Sequence, residues 1–159
     1  PFAVNDIVFA KEMGVNLAIS FHAVDDETRS KIMPINNKYP IAELLKALQN
    51  YAGIKNSRKI TFEYILLKDV NDSDEAAHKL VKLIKDYKIP AKVNLIPFNP
   101  WPGSTFERPS KSRVAKFSDI IFSQGISAPI RTTRGEDILA ACGQLKSESE
   151  KKRKYNKGL

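Results

Sequence analysis

Between residues 15 and 132 the sequence switches repeatedly between two hydrophobic spacings, and this alternation restricts the fold more than any other property of the chain. Residues 15–20, 59–67, 92–96 and 126–132 read as strands, the second of them (Lys59-Ile60-Thr61-Phe62-Glu63-Tyr64-Ile65-Leu66-Leu67) the clearest because it is rich in β-branched and aromatic side chains. Helical spacing fills the gaps. One helix runs over 4–13 and stops at Gly14, and another starts on the acidic turn Asp25-Asp26-Glu27 and ends before Pro34. A third opens at Pro40 with Ile41, Leu44, Leu45 and Leu48 on one face. The next is capped within Asn71-Asp72-Ser73-Asp74-Glu75 and repeats Ala76, Ala77, Leu80, Leu83, Ile84 and Tyr87. Ser110 begins a helix that turns Val114, Phe117 and Ile121 inward and stops at Gly125, and a short helical segment covers 136–142.

Strands separated by helices of this length imply a parallel sheet covered by helices, hence an α/β fold. Four strands are too few to close an eight-stranded barrel. The expected architecture is the C-terminal portion of a partial (β/α) barrel, with parallel strands flanked by helices. Because the sequence opens inside what reads as a strand-to-helix connection, it is expected to be a fragment whose first strands lie upstream.

Composition narrows the class. At 42% apolar and 9% aromatic residues the chain is ordinary globular material. It shows no apolar run long enough to span a bilayer and no signal-peptide pattern, so no membrane role is expected. A single cysteine, Cys142, excludes a disulfide framework within the chain and points to a reducing, cytoplasmic location. There are 26 basic and 18 acidic residues, a net charge of +8. The last 14 residues hold six of the basic and two of the acidic side chains, so half of the excess sits in a tail, 146–159, expected to be flexible. A basic body with a basic tail suits a polyanionic partner, of which RNA is the commonest in a cytoplasm.

In parallel α/β sheets ligands sit beyond the carboxyl ends of the strands. Three polar groups fall there: Ser20-Phe21-His22-Ala23, Pro97-Phe98-Asn99-Pro100 and Arg131-Thr132-Thr133-Arg134-Gly135. Each has a plain alternative. His22 reads equally as a satisfied structural histidine, Ser20 as a cap, Asn99 as a turn former between prolines, and Cys142 as a small buried hydrophobe. His78 belongs to a polar helix face, and His22, His78 and Cys142 share no metal-ligand spacing.

Five segments in order carry a more specific signal: Val15-Asn16-Leu17-Ala18-Ile19-Ser20-Phe21-His22-Ala23, Pro34-Ile35-Asn36, Ile60-Thr61-Phe62-Glu63-Tyr64, Lys92-Val93-Asn94-Leu95-Ile96-Pro97-Phe98-Asn99-Pro100 and Arg134-Gly135-Glu136-Asp137-Ile138-Leu139-Ala140-Ala141-Cys142-Gly143-Gln144-Leu145. Together they resemble the RlmN/Cfr-type radical-SAM RNA methyltransferases, which methylate carbon 2 of adenine in large-subunit rRNA and in tRNA. The resemblance covers residues 1–145, the expected core, and leaves out the tail. Phe21 stands where the family usually has leucine. The family's C-x3-C-x2-C motif, whose thiolates hold a 4Fe–4S cluster, has no counterpart here, nor has its N-terminal accessory domain.

The resemblance implies that Ser20, Phe21 and His22 contact S-adenosylmethionine, that Asn99 is a further contact, and that Cys142 is the cysteine that becomes methylated. A cysteine suits that role because a thiolate attacks a sulfonium methyl that electron-poor adenine carbon 2 does not. Cluster ligands, resolving cysteine and proton-abstracting glutamate would lie upstream. Arg131 and Arg134 are candidate phosphate contacts. The resemblance therefore implies the C-terminal part of an rRNA and tRNA adenine methyltransferase, incomplete and inactive by itself. The alternative is a catalytically inactive remnant of a split or decayed gene that retains at most S-adenosylmethionine or RNA binding. An unrelated (β/α) enzyme using His22 or Glu63 is a third reading.

Overall fold

The computed structural model describes residues 16–52 and 59–131. Its elements are β1 (Ala18–Ser20), α1 (Asp26–Ile32), a 3₁₀ turn (Pro34–Asn37), α2 (Ile41–Ala52), β2 (Ile60–Leu66), α3 (Asp74–Asp86), β3 (Ala91–Pro97) and α4 (Lys111–Ser123). The strands are parallel and lie in chain order, with Ser20 beside Glu63 and Glu63 beside Asn94. The helix expected over 4–13, the segment 136–142 with Cys142, and the tail 146–159 fall outside the described residues.

Local chemistry explains the helix starts. Asp25 accepts the amide of Thr28 at 2.7 Å, Ser73 that of Ala76 at 3.1 Å and Ser110 that of Arg113 at 3.1 Å, each relieving one unpaired first-turn donor. The acidic residues Asp26 and Glu27 in α1, and Asp74 and Glu75 in α3, stand at the positive end of the helix dipole. Gly125 leaves α4 at φ 82°, a conformation that a side chain would strain.

The apolar positions of β2 and β3 alternate with half-exposed ones, so each strand has a packed and an open face. Ile60, Phe62, Tyr64, Leu66, Val93 and Leu95 join Leu45, Leu48, Leu80, Ile84, Phe117 and Ile121 in one core. Phe62 meets Phe21 edge to face at 5.2 Å, and Tyr64 meets Phe117 at 5.4 Å. Strands added in sequence by right-handed crossovers put the described helices on the same side. The opposite face, Ala18, Ser20, Thr61, Glu63, Ile65, Lys92, Asn94 and Ile96, has no helix over it among the described residues and is exposed or half-buried.

The segment 126–132 departs from its expected full strand. It pairs with β3 through a single parallel bridge, Leu95 to Ile130. Val93 and Leu95 donate to the carbonyls of Ser127 and Pro129 at 2.8 and 2.9 Å, and Arg131 donates to Leu95 at 2.7 Å. The next bond of that ladder would come from the amide of residue 129, and proline has none.

Candidate functional site

The carboxyl ends of the strands carry the expected residues, and they fall into distinct roles. Ser20, the last residue of β1, is exposed on the open face. Its row continues through Glu63 to Asn94, whose Nδ2 donates to the Glu63 carboxylate at 2.8 Å. Asn99 is exposed in the loop that follows β3. With β2 between them, β1 and β3 run about 10 Å apart; Ser20 is level with Asn94, and Asn99 follows beyond the end of β3.

Phe21 faces the other way. Its ring is fully buried in the core. Its amide donates to Glu63 O at 3.0 Å, and its carbonyl accepts from Ala23 N at 2.8 Å and Arg29 Nε at 3.0 Å. The residue anchors the strand end and leaves both its neighbours to face the open side or the turn.

His22 makes the structural hydrogen bond that one of its two readings expects. It is 8% exposed and adopts φ 59°. Nδ1 accepts the amide of Ile65 at 3.1 Å, so the neutral ring carries its proton on Nε2. Burial, aided by the nearby Arg29 charge, pushes its pKa down to about 4. Near neutral pH this imidazole is an uncharged group of fixed tautomer and orientation.

Two buried side chains outside the expected site residues, Arg29 and Asn71, hold this edge together. Arg29 is 3% exposed and reaches back from α1 to Ser20 O at 3.0 Å, Phe21 O at 3.0 Å and Asn36 Oδ1 at 2.7 Å. Asn36 in turn donates to Asp26 Oδ1 at 3.0 Å and Ser30 Oγ at 3.0 Å. Asn71 is a brace where the sequence suggested part of a helix cap: it accepts Leu67 N and donates to His22 O and Ile65 O, all at 2.7 Å. Such bonds satisfy carbonyls that the strand ends would otherwise bury unpaired. Glu63 and Asn94 were visible in sequence as polar residues at alternate positions of apolar strands, a pattern that places them on the face away from the core.

Cys142 and Arg134 lie outside the described residues. Among the described residues no three His, Cys, Asp or Glu side chains are grouped to hold a metal ion. An iron–sulfur cluster requires several thiolates and the whole sequence has one cysteine, so the donor set of this chain does not fit a cluster. The open row offers hydroxyl, carboxylate and amide groups to a polar ligand.

No family model matches the chain. It is 61% identical over 142 residues to the dual-specificity RNA methyltransferase RlmN of Rhizorhabdus wittichii, a match covering 89% of this chain and 35% of that protein. The protein of the same name from Zymomonas mobilis is 60% identical over 144 residues, 91% of this chain and 37% of its own length. The chain thus spans about a third of these relatives. Among solved structures, a radical SAM methyltransferase from Sphaerobacter thermophilus superimposes with a TM-score of 0.77 at 43% identity, over 87% of this chain and 41% of that one. A domain of pyruvate-formate lyase-activating enzyme from Bacteroides vulgatus shares the fold at a TM-score of 0.57 and 14% identity, covering 81% of this chain and 89% of that one. The sheet and its helices are therefore a portion of a partial radical-SAM barrel.

Proposed function

Because the chain belongs to the RlmN-type radical-SAM methyltransferases over the third of its relatives' length that it spans, we propose that it is the C-terminal, methyl-carrying part of an RNA adenine carbon-2 methyltransferase. The observation that carries this reading is the polar row Ser20–Glu63–Asn94 on the open sheet face, leading to Asn99 at the same edge, within a sequence about 60% identical to named RNA methyltransferases. In this reading 1–145 form the core of the part and 146–159 are an accessory basic tail. The substrates are large-subunit rRNA and tRNA, and the location is cytoplasmic. Among the described residues no helix is long and apolar enough to cross a membrane.

S-adenosylmethionine, when bound, supplies an electrophilic methyl group on a cationic sulfonium. Ser20 and Asn99 offer it hydrogen bonds from two sides of the strand ends. Glu63 presents a carboxylate suited to a cation. His22 adds an Nε2 donor that stays uncharged, so it does not repel that cation near neutral pH. Cys142 carries the methyl group, because a thiolate is the nucleophile strong enough to accept it. The cluster belongs to the part of the enzyme that this chain does not span, and catalysis needs that part.

Calorimetric titration of the chain with S-adenosylmethionine tests the ligand-holding role. Ser20→Ala and Asn99→Ala should each weaken binding about fivefold, the loss of one hydrogen bond, and His78→Ala should not. A wild-type chain that binds no S-adenosylmethionine, or binding indifferent to both substitutions, would overturn the assignment.

A further inference from the structure

The loop after β3 displays a feature that the methyl-transfer reading leaves unused. Trp101 is 46% exposed, although large aromatic side chains are normally drawn into cores. It is nonetheless held firmly. Its ring meets Phe98 edge to face at 5.3 Å, and Phe98 meets Phe106 in the same way at 6.2 Å. Phe98 is buried, and its amide donates to Leu66 O at the end of β2 at 3.1 Å. Lys68 N donates to Glu107 O at 3.0 Å, which fastens the far limb of the loop to the same strand end. Between these anchors Ser104 N donates to Trp101 O at 2.9 Å and closes the turn that carries the indole. Pro100 and Pro102 on either side fix φ and reduce the freedom that binding would have to remove.

A rigid, backed and half-bare indole has a use that a merely packed one lacks: it offers a π-face on which another flat ring can stack. Its position selects the partner. The loop rises from the carboxyl edge of the sheet, two residues beyond Asn99, and Arg131 is exposed at the end of the bridge beside β3. The chain as a whole carries a net charge of +8. An aromatic platform on a basic molecule suits single-stranded nucleic acid, where bases stack and phosphates meet positive charge.

We propose that Trp101 is a stacking platform for an unpaired RNA base next to the residue presented at the strand ends. This inference rests on the RNA-methyltransferase reading and deepens it, because it assigns an RNA contact to the sheet-edge loop of this chain.

The test is direct because Trp101 is the single tryptophan of the sequence, so all indole emission reports on it. The chain is titrated with a short adenine-rich single-stranded RNA and with the same strand as a duplex. Saturation with the single strand should quench the emission, and the duplex should quench it less. Trp101→Ala and Trp101→Leu should each weaken single-strand binding by roughly tenfold, whereas Trp101→Phe should stay within about threefold of wild type. The leucine variant keeps apolar bulk without a π-system and separates stacking from simple packing. RNA bound as tightly by the alanine variant, with wild-type emission unmoved, would overturn the platform and leave the RNA reading intact. No binding of RNA by any form would overturn both. Emission that changes with chain concentration but not with RNA would assign the indole to a protein contact and likewise overturn the proposal.

Discussion

His22 sits where the backbone turns out of β1, and the fold determines its chemistry. With Nδ1 committed to the Ile65 amide and the ring buried, the charged form is disfavoured and the pKa falls from 6.5 to about 4. The sign of the consequence follows from proton counting. Between these two values the unfolded chain binds a proton at this residue that the folded chain does not, so stability rises with pH across that window. The contribution is fully present above about pH 6.5 and is lost as the pH falls through the folded-state value, a change of about 3 kcal/mol from this group alone. Urea unfolding of wild type and His22→Asn between pH 7 and pH 4 measures it. Asparagine tolerates the positive φ and can accept the Ile65 amide. The wild-type curve should fall more steeply than the variant's over that range, and parallel curves would refute the assignment. Sequence reasoning reached His22 through its place at a strand end but could not choose between ligand contact and structural bond. Arg29 and Asn71 escaped it, because most of their partners are backbone carbonyls of other segments, which only the folded arrangement brings within reach.

At the scale of elements, hydrophobic spacing and end signals located three strands and four helices close to where they form. These segments have period-2 or helical patterns, and three of the helices have side-chain caps, signals that act locally. The 3₁₀ turn Pro34–Asn37 had no such signal; its buried Asn36 is fixed by contacts with α1 and Arg29. The segment 126–132 reads as a strand from its composition, yet Pro129 interrupts the ladder that composition favours. Replacing Pro129 with valine restores an amide opposite the Val93 carbonyl. Hydrogen exchange should then show residue 129 protected and the protection of Arg131 increased. An amide at 129 exchanging as fast as in an open loop would mean that proline is not what breaks the ladder.

For the whole molecule, strand order decides what the sheet can do. Strands laid down in sequence leave the described helices on one side, so one face packs into the core and the other has no helix over it among the described residues. In a doubly wound sheet helices would cover that second face. Asn99 and Trp101 are exposed in the loop after β3, and His22 is buried at the turn out of β1. The sequence holds one cysteine, too few for a cluster that needs several thiolates. The central claim is therefore best tested with that missing part restored. In the Zymomonas mobilis relative, the segment that this chain matches is replaced by this chain, the cluster is reconstituted anaerobically, and RNA from the reaction is digested and analysed by mass spectrometry for adenine methylated at carbon 2. The chimera should produce that nucleoside, and Cys142→Ala should reduce it at least a thousandfold while leaving the cluster spectrum unchanged. A folded, cluster-loaded chimera that leaves adenine unmodified, or a Cys142→Ala form as active as its parent, would contradict the account.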